Sequence, residues 1–576
     1  MAAPHQPPAA RHRQGAGWPI AVALTALLAG CSAISGYDKP LRQGEAVVGT
    51  RGDYLDWNYH SLLEYSSYAK DPAAYAKGQS TTACDGKGGV PAVDCRIHGH
   101  VLHSPGYVVA LEKAPRRRLG LDNPREYACD CRTVALYFGQ SRLNPPPCPD
   151  QPAAAACFIQ RRLDDGERLF ISHIARFAPV EQPAPRLVGQ VIYDAYRTLE
   201  LPRNNLEEGP SLPIAGKEGL FEASFTVALK TLEENLARDL ETAATTRPYT
   251  HVLVYVMGWN TGEVEAMENF NNLSGFLLDA AERESPEVAF RPLVIGVTWP
   301  SAWSFGTSLA DVALRGLSFF NKKNDADEVG LVWLSQILHN SLRKVRGSRD
   351  KLRVVAFGHS FGGRALSRAV HSCSLVRPDD CSQHAVDLAI GYLPADGRSR
   401  YATEQHAKWL EEWTIPPLPA HHEGIPYTDY RPSLKNGIPQ AVFWSGYDTA
   451  TARAAFMGSL DRIDNTLNAS GQAVFHHLPG WCPIKITGDG RIASPPSLQE
   501  VIAALARQPA TPGKVLLINA SGFIQHKAPL HGGDAHSDIY SKEVGEATWA
   551  VVKRYLANPK EPPGQPGPPV PTSCPD

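Results

Sequence analysis

The sequence lacks the charge that a nucleic-acid-binding chain carries. Its 57 basic and 59 acidic side chains leave a formal net charge of −2 over 576 residues. No basic stripe stands out, so no nucleic acid partner is expected. Long apolar runs are also missing. The one near the N-terminus, from Ile20 to Leu28, is too short for a good membrane span, and no other stretch is apolar enough to anchor the chain. No internal repeat is visible, which argues against a solenoid or propeller. Metal-ligand patterns are incomplete. Cys129-Asp-Cys131 has no second matching pair, and His421-His422-Glu423 and His476-His477 have no third ligand at helix or ribbon spacing. No metal and no organic cofactor is expected. Wholesale disorder is excluded too, because 43% hydrophobic residues can fill real cores.

What is present begins with length: 576 residues predict two folded parts plus tails. Arg11, His12 and Arg13 precede the short apolar run, which ends in Leu28-Ala29-Gly30-Cys31. A basic start, an apolar core and small residues make a secretory signal over residues 1–30. Leu-Ala-Gly-Cys resembles the bacterial lipoprotein box. That resemblance implies cleavage before Cys31 and diacylation of its thiol, so that the membrane is a partner through the lipid anchor. Ser32 implies sorting to the outer membrane, facing the periplasm or the surface. Residues 31–50 then read as a tether. Ten cysteines remain: Cys84, Cys95, Cys129, Cys131, Cys148, Cys157, Cys373, Cys381, Cys482 and Cys574. An even number in an exported chain argues for disulfides. Cys373 with Cys381, closing a short loop, and Cys84 with Cys95 are the local candidates.

Residues 51–200 are rich in Pro, Gly and Cys, with β-like runs at 107–111, 133–138 and 169–173. They form either a separate β-rich, disulfide-stapled unit or the first strands of the sheet beyond; no function can be read from them. From 201 to 557 strand and helix patterns alternate. A helical stripe covers 218–241. Strands are expected at 251–256, 292–299, 352–357, 386–393, 441–445 and 515–518, and helices at 263–281, 328–345 and 543–556. Alternation of this kind is the signature of an α/β fold around a parallel sheet. Two aromatic-bearing insertions, 397–438 and 465–511, interrupt it, and the first reads as a cap over a site. The charged run from Lys322 to Glu328 reads as a capped, solvated helix start. A Pro-rich tail occupies 558–576.

One stretch carries chemistry: a short apolar run, then Gly358-His359-Ser360-Phe361-Gly362-Gly363, then a helical pattern. A serine between strand and helix must turn so sharply that its hydroxyl stands clear, beside a helix N-terminus where a developing anion is stabilised. This segment resembles the nucleophile elbow of an α/β-hydrolase of the esterase or lipase kind, over roughly residues 250–556. The resemblance implies a mostly parallel sheet with helices on both sides and a triad in chain order Ser, acid, His. It implies Ser360 as nucleophile, with the amides of Trp259 and Phe361 as oxyanion donors. Met257 stands where the family usually has histidine. His536, in the loop before the last helix, is the expected base, with His531 next. Asp448, after the 441–445 strand, is the expected acid, with Asp396 as the other choice. The implied substrate is a small-molecule or lipid carboxylic ester. A thioester, acyl-transfer or peptide substrate suits the same machinery, and so does a binding role without catalysis. The oligomeric state is not legible.

Overall fold

The computed structural model describes residues 102–113, 169–180, 186–195, 223–259, 261, 263–301, 322, 325–347, 349–377, 381, 384–395, 438–448, 450, 475–478, 495–507, 515–525 and 535–556. The signal segment, the tether, the proposed cap (save its last residue), the Pro-rich tail, Cys84 and Cys95 lie outside them.

The described residues form ten strands: β1 (Gly106–Lys113), β2 (Leu169–Val180), β3 (Arg186–Asp194), β4 (His251–Val256), β5 (Pro292–Thr298), β6 (Arg353–His359), β7 (Leu388–Tyr392), β8 (Gln440–Trp444), β9 (Phe475–Leu478) and β10 (Val515–Asn519). They make one sheet in the order β3-β2-β1-β5-β4-β6-β7-β8-β10-β9. From β1 across to β9 all pairings are parallel, and β2 and β3 add an antiparallel edge. Every residue of β4, β5, β7 and β8 is buried. That is why these strands read as continuous Val, Ile and Leu runs: in a parallel sheet both faces are covered.

The helices are α1 (Leu229–Ala244), α2 (Glu263–Glu284), α3 (Leu342–Arg346), α4 (Phe361–His371), α5 (Leu498–Arg507) and α6 (Lys542–Leu556). Alternation along the strands assigns them to two faces. Tyr255, Phe357, Tyr392 and Phe443 form a row of rings across β4, β6, β7 and β8, with centroids 4.8, 6.3 and 5.3 Å apart. Phe270 of α2 stacks on Tyr255 at 5.9 Å, and the Tyr392 hydroxyl meets Thr548 of α6 at 2.8 Å. Gly391 points the other way, toward Gly363 and Leu366 of α4. The α/β expectation therefore holds, with helices on both sides of the sheet.

Three features go beyond the expectations, the first by deciding between two open readings. β1, β2 and β3 belong to the same sheet, β1 lying parallel to β5 with Val108 opposite Gly296; of the two readings left open for these runs, they are strands of the sheet. The 465–511 insertion contributes β9 and α5. The third is a correction. Lys322, Asp325, Asp327 and Glu328 are not solvated. Lys322 and Asp325 are fully buried and pair at 3.2 Å. Asp327 accepts Arg364 Nε and Nη2, each at 2.7 Å, and Arg368 Nε at 2.9 Å. Glu328 accepts the Leu169 amide at 2.6 Å, fixing β2. The cause is α4, which is buried along its whole length, so its two guanidinium groups have no water and need a counter-charge.

Candidate active site

Ser360 occupies the junction of β6 and α4 with φ 55° and ψ −124°. Such a backbone costs a non-glycine residue about 1–3 kcal/mol, so its surroundings must impose it. They do. A Cβ on Gly358 would lie 2.3 Å from the Gly362 carbonyl oxygen, and one on Gly362 would lie 2.2 Å from that of Val256. Only glycines allow β4, the elbow and the start of α4 to approach so closely. The Ser360 amide donates to Tyr392 O at 3.2 Å, and its carbonyl accepts the amides of Ala395 (2.9 Å) and Arg364 (3.1 Å). Leu393, at the end of neighbouring β7, is the other non-glycine residue with positive φ among those described.

The position in the sheet is equally specific. From β4 the chain moves to β5 on one side, then crosses to β6 on the other. The carboxyl ends of β4 and β6 therefore flank the crevice where strand order reverses, the place where ligands bind in open α/β sheets. Met257, Gly258 and Trp259 follow β4 there. A Cβ on Gly258 would be 3.2 Å from Ser360 Cβ, and the Trp259 and Phe361 rings lie 5.9 Å apart. The two residues expected as oxyanion donors are thus brought together beside the serine. Met257, lacking the usual imidazole, is held otherwise: its carbonyl accepts the indole N–H of buried Trp299 at 3.0 Å. Ser301 clamps the other end of the loop, accepting the Thr261 amide (3.1 Å) and donating to the Thr261 carbonyl (2.9 Å).

Asp448 lies in the turn after β8, and His536 in the turn Ala535–Ser537 just before α6. They meet, with His536 Nδ1 3.1 Å from Asp448 Oδ2. The carboxylate only accepts, so the proton sits on Nδ1 and Nε2 keeps its lone pair. Asp448 is held by the Ala450 amide on its second oxygen at 3.1 Å. Its turn is tied to the one after β10: Ser445 Oγ donates to Ile524 O (2.7 Å), and the Gly446 amide donates to Ser521 Oγ (2.9 Å). The carboxylate is nearly shielded from solvent while the imidazole is partly open. Asp396 and His531, the other choices, lie outside the described residues.

His359, which sequence reasoning passed over, links the two halves. Its Nε2 donates to the backbone carbonyl of His536 at 2.7 Å, and the two rings are 4.8 Å apart. Burial, helped by the neighbouring His536, pushes its pKa down to about 3, so it is neutral. Adjacency to Ser360 was its only signal in the sequence. Trp299 and Ser301 gave none, because their partners are backbone groups of a loop some forty positions away.

No family model matches the sequence, and no curated protein does. Among solved structures, Thermogutta terrifontis esterase 2 phosphonylated by sarin is 16% identical, over 37% of this chain and 71% of that one, at a TM-score of 0.19. Phospholipase PlaB from Legionella pneumophila is 15% identical, over 42% and 49%, at 0.20. A prolyl endopeptidase is 12% identical, over 54% and 34%, at 0.20. Likeness this low supports no assignment, and a function for this chain has to rest on the geometry of its site.

Proposed function

We propose that this chain is a serine hydrolase cleaving carboxylic esters, held at the bacterial cell envelope by acyl chains on Cys31. The observation that carries the reading is a strained Ser360 at the β6–α4 junction whose neighbour His359 is bonded to the carbonyl of His536, with the His536 ring in turn paired to Asp448. Ser360 Oγ attacks the acyl carbonyl while His536 takes its proton at Nε2. Asp448 holds the imidazole in the tautomer that can do this and stabilises the imidazolium that forms. The negative charge developing on the substrate oxygen is met by the amides of Trp259 and Phe361, reinforced by the N-terminus of α4. Proton return to the alkoxide leaves an acyl-serine, and water activated by the same imidazole releases the acid.

The test is labelling by an active-site serine phosphonate, read beside ester turnover. Ser360→Ala should abolish labelling and lower turnover by about four to six orders of magnitude with the fold intact. Undiminished turnover in that variant would refute the assignment. Absence of labelling in the unaltered chain would favour a binding role. A panel of ester, thioester and peptide substrates separates the chemistries that share this machinery. The anchor is tested apart from catalysis: Cys31→Ser should leave the chain unlipidated and released from the membrane fraction.

A further inference from the structure

Away from the serine, at the far end of α4, a second cluster of reactive side chains has no part in this chemistry. Cys373 opens the helical turn Cys373–Val376 and is disulfide-bonded to Cys381. His339, in the π-helical segment Ile337–Ser341, and His384, on the approach to β7, each bring a ligand atom to within 4.8 Å of the Cys373 sulfur and of one another. Three metal-ligating residues from three separate segments therefore converge on one point, and a fourth, Cys381, is bonded to one of them.

We infer that reduction of the Cys373–Cys381 disulfide creates a Cys2His2 site for a zinc-like divalent cation, with His339 and His384 completing the tetrahedron. Zinc–sulfur and zinc–nitrogen bonds of about 2.3 and 2.0–2.1 Å place tetrahedral ligand atoms roughly 3.3–3.8 Å apart. The imidazoles and the Cys373 sulfur need to close by at most about 1.0–1.5 Å, and the Cys381 sulfur has to part from its bond and swing onto the cation. The His339 ring is already oriented by a hydrogen bond. Its Nε2–H donates to Ala369 O at 2.7 Å, leaving Nδ1 as the lone-pair nitrogen; an outer hydrogen bond of this kind fixes the ring of a metal-bound histidine. Arg377 is the charged neighbour that bears on His339. Two thiolates cancel the charge of a dication, so filling the site adds no positive charge against that guanidinium. The exchange balances. A dithiol gives two electrons and two protons to the S–S bond and becomes a disulfide, and the cation then displaces both thiol protons to water.

The full chain, reduced by a dithiol and desalted without oxygen, should be titrated with cobalt(II). Expected are a thiolate-to-cobalt charge-transfer band and the visible bands of tetrahedral cobalt, bleached by zinc and absent from the oxidised chain. The doubly substituted Cys373→Ser, Cys381→Ser chain should lose this component. If that variant fails to fold, His384→Ala, altering a half-buried loop residue, should weaken cobalt binding at least tenfold. A reduced chain giving no more tetrahedral cobalt than the double variant, or binding unaffected by His384→Ala, would overturn the inference. None of these readouts depends on ester hydrolysis.

Discussion

His359 and Trp299 act through backbone carbonyls, and that makes them sensitive probes of the site. The imidazole of His359 donates to the carbonyl of His536, the proposed base. His359→Phe keeps a ring but orphans that carbonyl, an omission worth about 1–3 kcal/mol. Felt in the transition state, it lowers kcat/KM by about tenfold or more, whereas His359→Gln, which can still donate, should recover part of the loss. Unaltered kcat/KM in the phenylalanine variant would show that the bond does not position His536. Trp299→Phe likewise frees the Met257 carbonyl. It should depress kcat with little change in KM, because the donors it steadies meet charge only in the transition state; a pure KM effect would argue against that role. The places of Ser360, His536 and Asp448, to which the proposed reading gives the roles of nucleophile, base and acid, were legible because they follow strands or precede a helix in a recognisable order. Residues whose partners are distant main-chain atoms were not, since the amide and carbonyl groups of every residue look alike in a sequence.

Among the elements, α4 is the one whose setting is costly. It is buried on every side, and the bidentate pair of Arg364 with Asp327, shared with Arg368, supplies the counter-charge. Asp327→Asn leaves two guanidinium groups facing a neutral amide. The expected loss of stability is about 3–5 kcal/mol, read as a fall in the urea midpoint. A loss below about 1 kcal/mol would mean that water reaches the cluster. The burial of Lys322, Asp325, Asp327 and Glu328 was hidden for the same reason. A charged run reads as solvated until the helix that needs it is known. Strands β4 to β8 and β10 were legible within a residue or two because their central residues are apolar and polar ones stand only at their ends. β9, Phe-His-His-Leu, was not, because a four-residue edge strand with two central histidines has neither the length nor the pattern to announce itself.

For the whole molecule, acid is the perturbation to apply. Burial pushes the pKa of His173, His251 and His339 down to about 4, and of His359 and His371 down to about 3. The unfolded chain binds protons at these positions near pH 6.5 and the folded one does not. Their neutral forms are accommodated without penalty above about pH 6.5, and stability falls as the pH drops from there toward 3–4. Each contributes a slope of about 1.4 kcal/mol per pH unit, so unfolding free energies should fall with the slope of several protons between pH 6 and 4. A flat profile over that window would refute these histidines as buried and neutral. That β1 to β3 join the sheet was out of reach of local pattern, since β1 finds its parallel partner in β5 across most of two hundred residues. The same long-range wiring governs timing. On the proposed roles, the oxyanion loop is synthesised first, Ser360 next, Asp448 later, and His536 only as the last helix approaches, with the turn after β8 and the turn after β10 locking each other in place. A chain threaded out amino end first holds a nucleophile long before it holds a base. On the proposed reading it is chemically silent throughout translation, and its reactivity switches on only when the C-terminal strands and α6 dock.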